Sequence, residues 1–289
     1  MLWLLLSLLA ALAWSVTNII DKHTISDEMR DPIVATTVAG FTFFLVFAAF
    51  SFSFDLFALP ASAITLSFGA GVAYNLAIFF VYLAARDAEI SRVIPIVKLD
   101  PLLILLGSLL LGEVLLPSAV LGAVLLATGA ILIALKRPGR TGRRPFVYAF
   151  LAAAFYALRS LLLDTAVAGH GLFPVLAWVG LGGMAVGAVF LVVHHPHLRK
   201  KARKGIEHEL IAANGLAALA FFLFAVALTL APVSLVAAVV SLNIFFVFVI
   251  ATALSKTHAH LIREEMRRSS LVAKLVAIAL IFLGLILVV

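Results

Sequence analysis

Arg92-Val-Ile-Pro-Ile-Val-Lys-Leu-Asp-Pro101 opens an apolar run that continues to Leu111. A run of about 20 residues is enough to cross a bilayer as a helix. This one carries Lys98, Asp100 and two prolines. A charge at membrane depth costs at least ~2.5–3.5 kcal/mol on insertion scales, so it is rarely there by accident. Pro101 has no amide proton for the carbonyl of Val97, and backbone left unpaired at depth is tolerated only inside protein or beside a cavity. The segment therefore reads as one wall of a polar cavity within a helix bundle.

The rest of the chain fits that setting. Of its 289 residues, 64% are hydrophobic and 12% charged, whereas a soluble domain has roughly 45–50% apolar and about 25% charged residues. The fold class expected is an all-α polytopic membrane protein. A formal charge of +7 would point to nucleic acid in a soluble protein. Here the basic residues sit in short joints between apolar runs, where they set topology, and no nucleic acid is expected. Cysteine is absent, which removes disulfides and thiolate metal sites. Residues 1–13 resemble the apolar part of a signal peptide, but no basic stretch precedes them, so they are expected to remain as a membrane helix.

Ten apolar runs can be counted, at about 2–20, 32–54, 62–85, 92–111, 116–136, 145–168, 171–194, 208–229, 233–255 and 270–289. Asp31-Pro32, Pro60, Pro117, Pro138-Gly139, Pro196 and Pro232 mark the expected turns. Lys136-Arg-Pro-Gly-Arg-Thr-Gly-Arg-Arg-Pro145 is the least apolar joint and falls near the midpoint. The division expected is a first five-helix repeat over 1–136, a basic linker over 137–144 and a second repeat over 145–289. The repeat rests on Ile90–Asp100 aligning without a gap on Val233–Asn243, with Ser91, Val93, Val97 and Leu99 matched identically. Lys98 then faces Ser241, and Asp100 faces Asn243. Trp14-Ser-Val-Thr-Asn18 similarly lies over Tyr156-Ala-Leu-Arg-Ser160. An odd number of helices per copy makes the second copy inverted, the architecture of many secondary transporters.

With its fourth-run Leu99-Asp-Pro101 step and Leu111-Gly-Glu113 close behind, the chain resembles the drug/metabolite transporter superfamily, specifically its EamA type. In the second copy Ile244 replaces the proline and Ser255-Lys256 replaces Gly-Glu. The resemblance implies a substrate cavity lined by runs 1, 3, 4, 6, 8 and 9 and a small-metabolite cargo.

Lys98 and Arg159 lie well inside their apolar runs, and ionisable residues at such depth are site candidates by default. Lys98 could instead snorkel to the interface, and Arg159 could be a structural ion-pair partner of Asp100 or Asp164. Two cations favour a substrate bearing a carboxylate or phosphate. Trp14, Asn18, Tyr74, Asn75, Tyr156, Asn214, Ser241 and Asn243 complete the candidate binding set, although polar groups at depth often only join helices. A carboxylate taken out of water accepts a proton more readily, so Asp100, and after it Glu113 or Asp164, are candidates to carry a coupling proton. Gly69-Ala-Gly71 and Gly183-Met-Ala-Val-Gly187 read as close-packing faces or hinges. His194-His-Pro-His197 has no adjacent carboxylate to complete a metal site, and Arg199, Lys200, Lys201, Arg203 and Lys204 follow it as a topology marker. No metal and no cofactor are expected, and no nucleophile elbow, phosphate loop or zinc-protease motif points to an enzyme.

The function expected is a secondary transporter of a small polar metabolite, working by alternating access within a lipid bilayer. A lipid-phosphate carrier or flippase of the same fold is the alternative, and a membrane-embedded enzyme a more distant one. Of 21 Lys and Arg residues, all but Lys98, Arg159 and Lys274 flank the joints after runs 1, 3, 5, 7 and 9. Basic joints stay in the cytoplasm, so both termini are expected outside the plasma (inner) membrane. That is opposite to the orientation the resemblance implies.

Overall fold

The computed structural model describes residues 1–25, 31–51, 55–110, 117–135, 142–201, 206–257 and 268–288. Its regular elements are helices α1 (Leu2–His23), α2 (Pro32–Ser51), α3 (Ala61–Asp87), α4 (Ile90–Val97), α5 (Asp100–Leu110), α6 (Pro117–Leu135), α7 (Arg144–Val167), α8 (Leu172–Lys201), α9 (Ile206–Leu228), α10 (Val233–Val240), α11 (Asn243–Thr257) and α12 (Arg268–Val288). A 3-10 turn over Leu56–Ala58 precedes α3. The helices start where local chemistry allows. Pro32 and Pro117 open α2 and α6, where their missing amide protons would have no intrahelical partner. The Asp31 carboxylate accepts the Ile33 amide at 3.2 Å, and Asp55 accepts that of Phe57 at 2.9 Å.

Five of the described helices are long and apolar enough to cross a membrane: Leu2–His23, Ala61–Asp87, Arg144–Val167, Leu172–Val193 and His208–Leu228. Shorter apolar stretches lie at Pro32–Phe47, Asn243–Lys256 and Val272–Gly284. On α1 the exposed Leu5, Leu9, Leu12 and Val16 form one stripe at helical spacing, the face suited to lipid. Hydroxyls of Ser7, Ser15, Thr17, Thr36, Thr37, Thr42 and Ser67 donate to carbonyls four residues back, so they need no water.

The fourth and ninth runs depart from the sequence reading, which made each a single helix. Both are broken, at Lys98-Leu99 and at Ser241-Leu242. At the first break the Leu99 amide bonds Ile96 at 3.1 Å, a tightened turn consistent with the amide proton that Pro101 lacks. At the second, the Leu242 amide bonds Val239 at 3.0 Å and that of Ile244 bonds Ser241 at 3.0 Å, with no proline present. This break is held from α1: the Asn243 side-chain amide donates to the Ala11 carbonyl at 3.1 Å and to Ser15 Oγ at 2.7 Å. The expected turn at Pro196 is also absent: α8 continues through that proline to Lys201.

α3 packs along α7, α1 along α9, α2 along α8 and α6 along α12, with α4 against α11. Gly71 and Gly182 let α3 and α8 approach backbone to backbone. A Cβ at Gly71 would collide with the Val179 carbonyl, and one at Gly182 with that of Phe68. Gly183 and Gly187 similarly admit α2, whose Gly40 faces them. Gly69 does not share this role, since a Cβ there would meet only Leu162 at 3.4 Å. Gly71→Val and Gly182→Val should each destabilise the fold by about 1–3 kcal/mol or more through overpacking. The check is a lowered denaturation temperature of the purified protein in detergent. Gly142→Ala, where a Cβ meets nothing within 4 Å, should leave it unchanged.

Candidate functional site

A small, partly open cavity lies where the two helix breaks approach α1, α3 and α7. It is lined by Trp14 and Asn18 of α1, Val81 of α3, Ile94, Val97 and Lys98 of the first break, Tyr156 and Arg159 of α7, and Asn243 of the second. Lys98 is thus presented by the end of α4, and Asn243 by the start of α11, rather than by the middle of regular helices. Lys98 is 9% exposed and Arg159 3%.

Lys98 turns inward rather than to an interface. Its Nζ lies 5.7 Å from the Trp14 ring centre and 5.6 Å from that of Tyr156. The Arg159 guanidinium stands over a cage of rings: Phe224 at 4.5 Å, Tyr156 at 5.4 Å, Phe221 at 5.5 Å, Tyr74 at 5.6 Å and Trp14 at 5.7 Å. Aromatic faces stabilise a cation by ~0.5–2 kcal/mol and hold it in place without neutralising it. One guanidinium nitrogen donates to Ser160 Oγ at 2.9 Å, while Nε is buried with no partner. Trp14 and Tyr156, both in the candidate binding set, therefore position the two cations. Trp14 is itself held by donating to the Tyr74 hydroxyl at 3.4 Å.

The remaining candidates separate. Asn18 donates to the Asn243 side-chain oxygen at 3.3 Å, so the two amides join α1 to the second break at the cavity wall. Asp100 opens α5, is buried, and keeps one carboxylate oxygen without a hydrogen bond, under the electrostatic influence of Lys98 and Arg159. Tyr74 lies behind the cavity. Asn75 donates to Gly71 of its own helix and packs on Gly183 of α8. Asn214 bonds its own Leu210 carbonyl at 2.9 Å, and Ser241 that of Ala237 at 2.9 Å. None of these four lines the cavity. Asp164 is half-buried near the end of α7 and likewise apart from the lining. Glu113 and the 137–141 part of the linker lie outside the described residues, as do the side chains of His194, His195 and His197.

Sequence reasoning did not single out Phe221 and Phe224, whose apolar identity carries no mark of a cation cage. It also passed over Asp21, which follows Asn18 on the cavity stripe of α1 but fell beyond the apolar run drawn there.

Helices long and apolar enough to cross a membrane, packed around a buried polar cavity, mark an integral membrane protein. Residues 1–135 match the EamA-like transporter family. That match bears out, for the first half of the chain, the resemblance carried by the fourth run. Among curated proteins none matches. One solved structure, titled "Crystal structure of protein", is similar to this chain with a TM-score of 0.67 at 20% identity, covering 98% of this chain and 94% of that one. At that identity the likeness concerns the fold alone.

Proposed function

We propose that this protein is a secondary transporter that moves a small polar metabolite bearing a carboxylate or phosphate by alternating access. The observation that carries the reading is the convergence of two buried cations, Lys98 and Arg159, on one cavity wall held by aromatic rings. Neither has a carboxylate within ion-pairing distance among the described residues, so their charge is available to an anion. The guanidinium offers a planar fork and the ammonium a point charge. Asp100 balances part of that charge between turnovers and remains a candidate proton carrier.

The architecture proposed with this function is ten crossings in two inverted repeats, 1–136 and 145–289, joined by the basic linker. Each broken pair, α4 with α5 and α10 with α11, counts as one crossing. Support comes from the two breaks at equivalent positions and from reciprocal pairings: α3 lies on α7 as α9 lies on α1. Rocking of one repeat against the other would expose the cavity to each side in turn.

Counterflow in proteoliposomes tests the function. Labelled anionic metabolite should exchange without chemical change. Movement of lipid between leaflets in its place would favour the lipid carrier, and a chemically altered substrate an enzyme. The orientation proposed, both termini outside the plasma membrane, has its own check, because the chain contains no native cysteine. A cysteine at Gly142 should resist an impermeant thiol reagent added to intact cells and react once they are opened. Reaction in intact cells would reverse the assignment.

A further inference from the structure

A second buried carboxylate lies just beyond the cavity. Trp14, Asn18 and Asp21 share one stripe of α1, opposite its exposed leucines. At 1.5 Å per residue, Asp21 sits about 4.5 Å further along the axis than Asn18. It is 7% exposed. Its carboxylate accepts one hydrogen bond, from the Tyr82 hydroxyl of α3 at 3.3 Å, and Asn214 of α9 supports that hydroxyl.

No cation pairs with Asp21 among the described residues. The neighbouring Lys22 instead donates to the carbonyls of Ala85 and Ala88, at 2.6 and 2.8 Å. α3 also brings Tyr74 toward it and α7 brings Tyr156, both uncharged phenols. Arg92 of α4 is engaged with Glu89 at 3.1 Å. Among the described residues, no ionisable side chain of α9, α10 or α11 acts on Asp21. Asp100 is different, because two cations act on it. An ionised carboxylate buried against one neutral donor is in an expensive state, which a proton relieves.

We propose that Asp21 is a proton-binding site attached to the cavity. Its carboxylate takes one proton from cavity water and returns it to water, and Tyr82 keeps a hydrogen bond to it in either form, since a phenol can donate or accept. The use of this proton to drive transport rests on the transporter reading; the binding itself does not.

Infrared difference spectroscopy of the purified protein in lipid nanodiscs, titrated with pH, tests this without a substrate. Among the protonated-carboxyl bands that grow as pH falls and shift in heavy water, one component should be missing from Asp21→Asn. In Tyr82→Phe, which keeps the carboxyl, the band should persist at a changed frequency. Titrating bands identical in the unaltered protein and in Asp21→Asn, or an Asp21 component that Tyr82→Phe leaves unmoved, overturn the proposal. So does an Asp21 band that is constant at every pH, because that group would be a sealed structural hydrogen bond. Failed counterflow with a titrating band would sink the transporter reading alone. Intact counterflow with no such band would sink this inference alone.

Discussion

Lys98→Met is expected to leave a folded protein that no longer transports its anionic substrate. Methionine keeps the bulk of the stem and removes only the charge. The Lys98 ammonium rests on two ring faces rather than in a salt bridge, so its removal strands no buried partner within ion-pairing distance. Truncating one member of a buried charge pair with a ligand typically costs about 2–5 kcal/mol of binding, so affinity should fall roughly thirtyfold or more. Binding to the purified variant and counterflow in liposomes both read this. Normal transport by Lys98→Met would mean that the ammonium only fills space over Trp14 and Tyr156.

Arg159 should be the more sensitive position. Arg159→Lys keeps the charge but loses the planar fork and the stacking on Phe224, and it should also abolish transport. Arg159→Met keeps an unbranched apolar stem among Phe221, Phe224 and Tyr74, so it should fold and lose the same activity. The pair of variants separates two roles. If Arg159→Met unfolds the protein and a second change at Asp100 restores it, the arginine is an ion-pair partner in the scaffold and not a ligand of the substrate. Melting curves of the single and double variants decide this.

The parts of this arrangement that were legible in the sequence are those that a single residue type announces. Charges at depth marked Lys98 and Arg159, and the structure brings them to one cavity with Trp14, Asn18, Tyr156 and Asn243. Pro101 announced irregular backbone in the fourth run. The matching break after Ser241 was not legible as a break, because it depends on a contact 232 residues away in sequence, from Asn243 to the Ala11 carbonyl. Asn75 and Asn214 looked like binding residues because an amide at depth needs a partner. Each found one within its own helix, at Gly71 and Leu210, and sequence spacing does not distinguish that from a contact with ligand. Asp21 was missed for the opposite reason. It stands beside Lys22 at the edge of an apolar run, where charges usually meet water, and only tertiary packing, with Tyr82 hydrogen-bonded to it, removes it from solvent.

The central claim is that the cavity holds an anion between Lys98 and Arg159. Its most direct test is a thermal-shift series on the purified protein with matched metabolites, each offered with and without its carboxylate or phosphate. A ligand that binds the native state raises apparent stability by an amount set by its concentration relative to Kd. The account predicts that stabilising ligands are anionic, that their neutral analogues are silent, and that the stabilisation is lost in Lys98→Met and in Arg159→Met. Stabilisation by a neutral or cationic metabolite, undiminished in both variants, would contradict it.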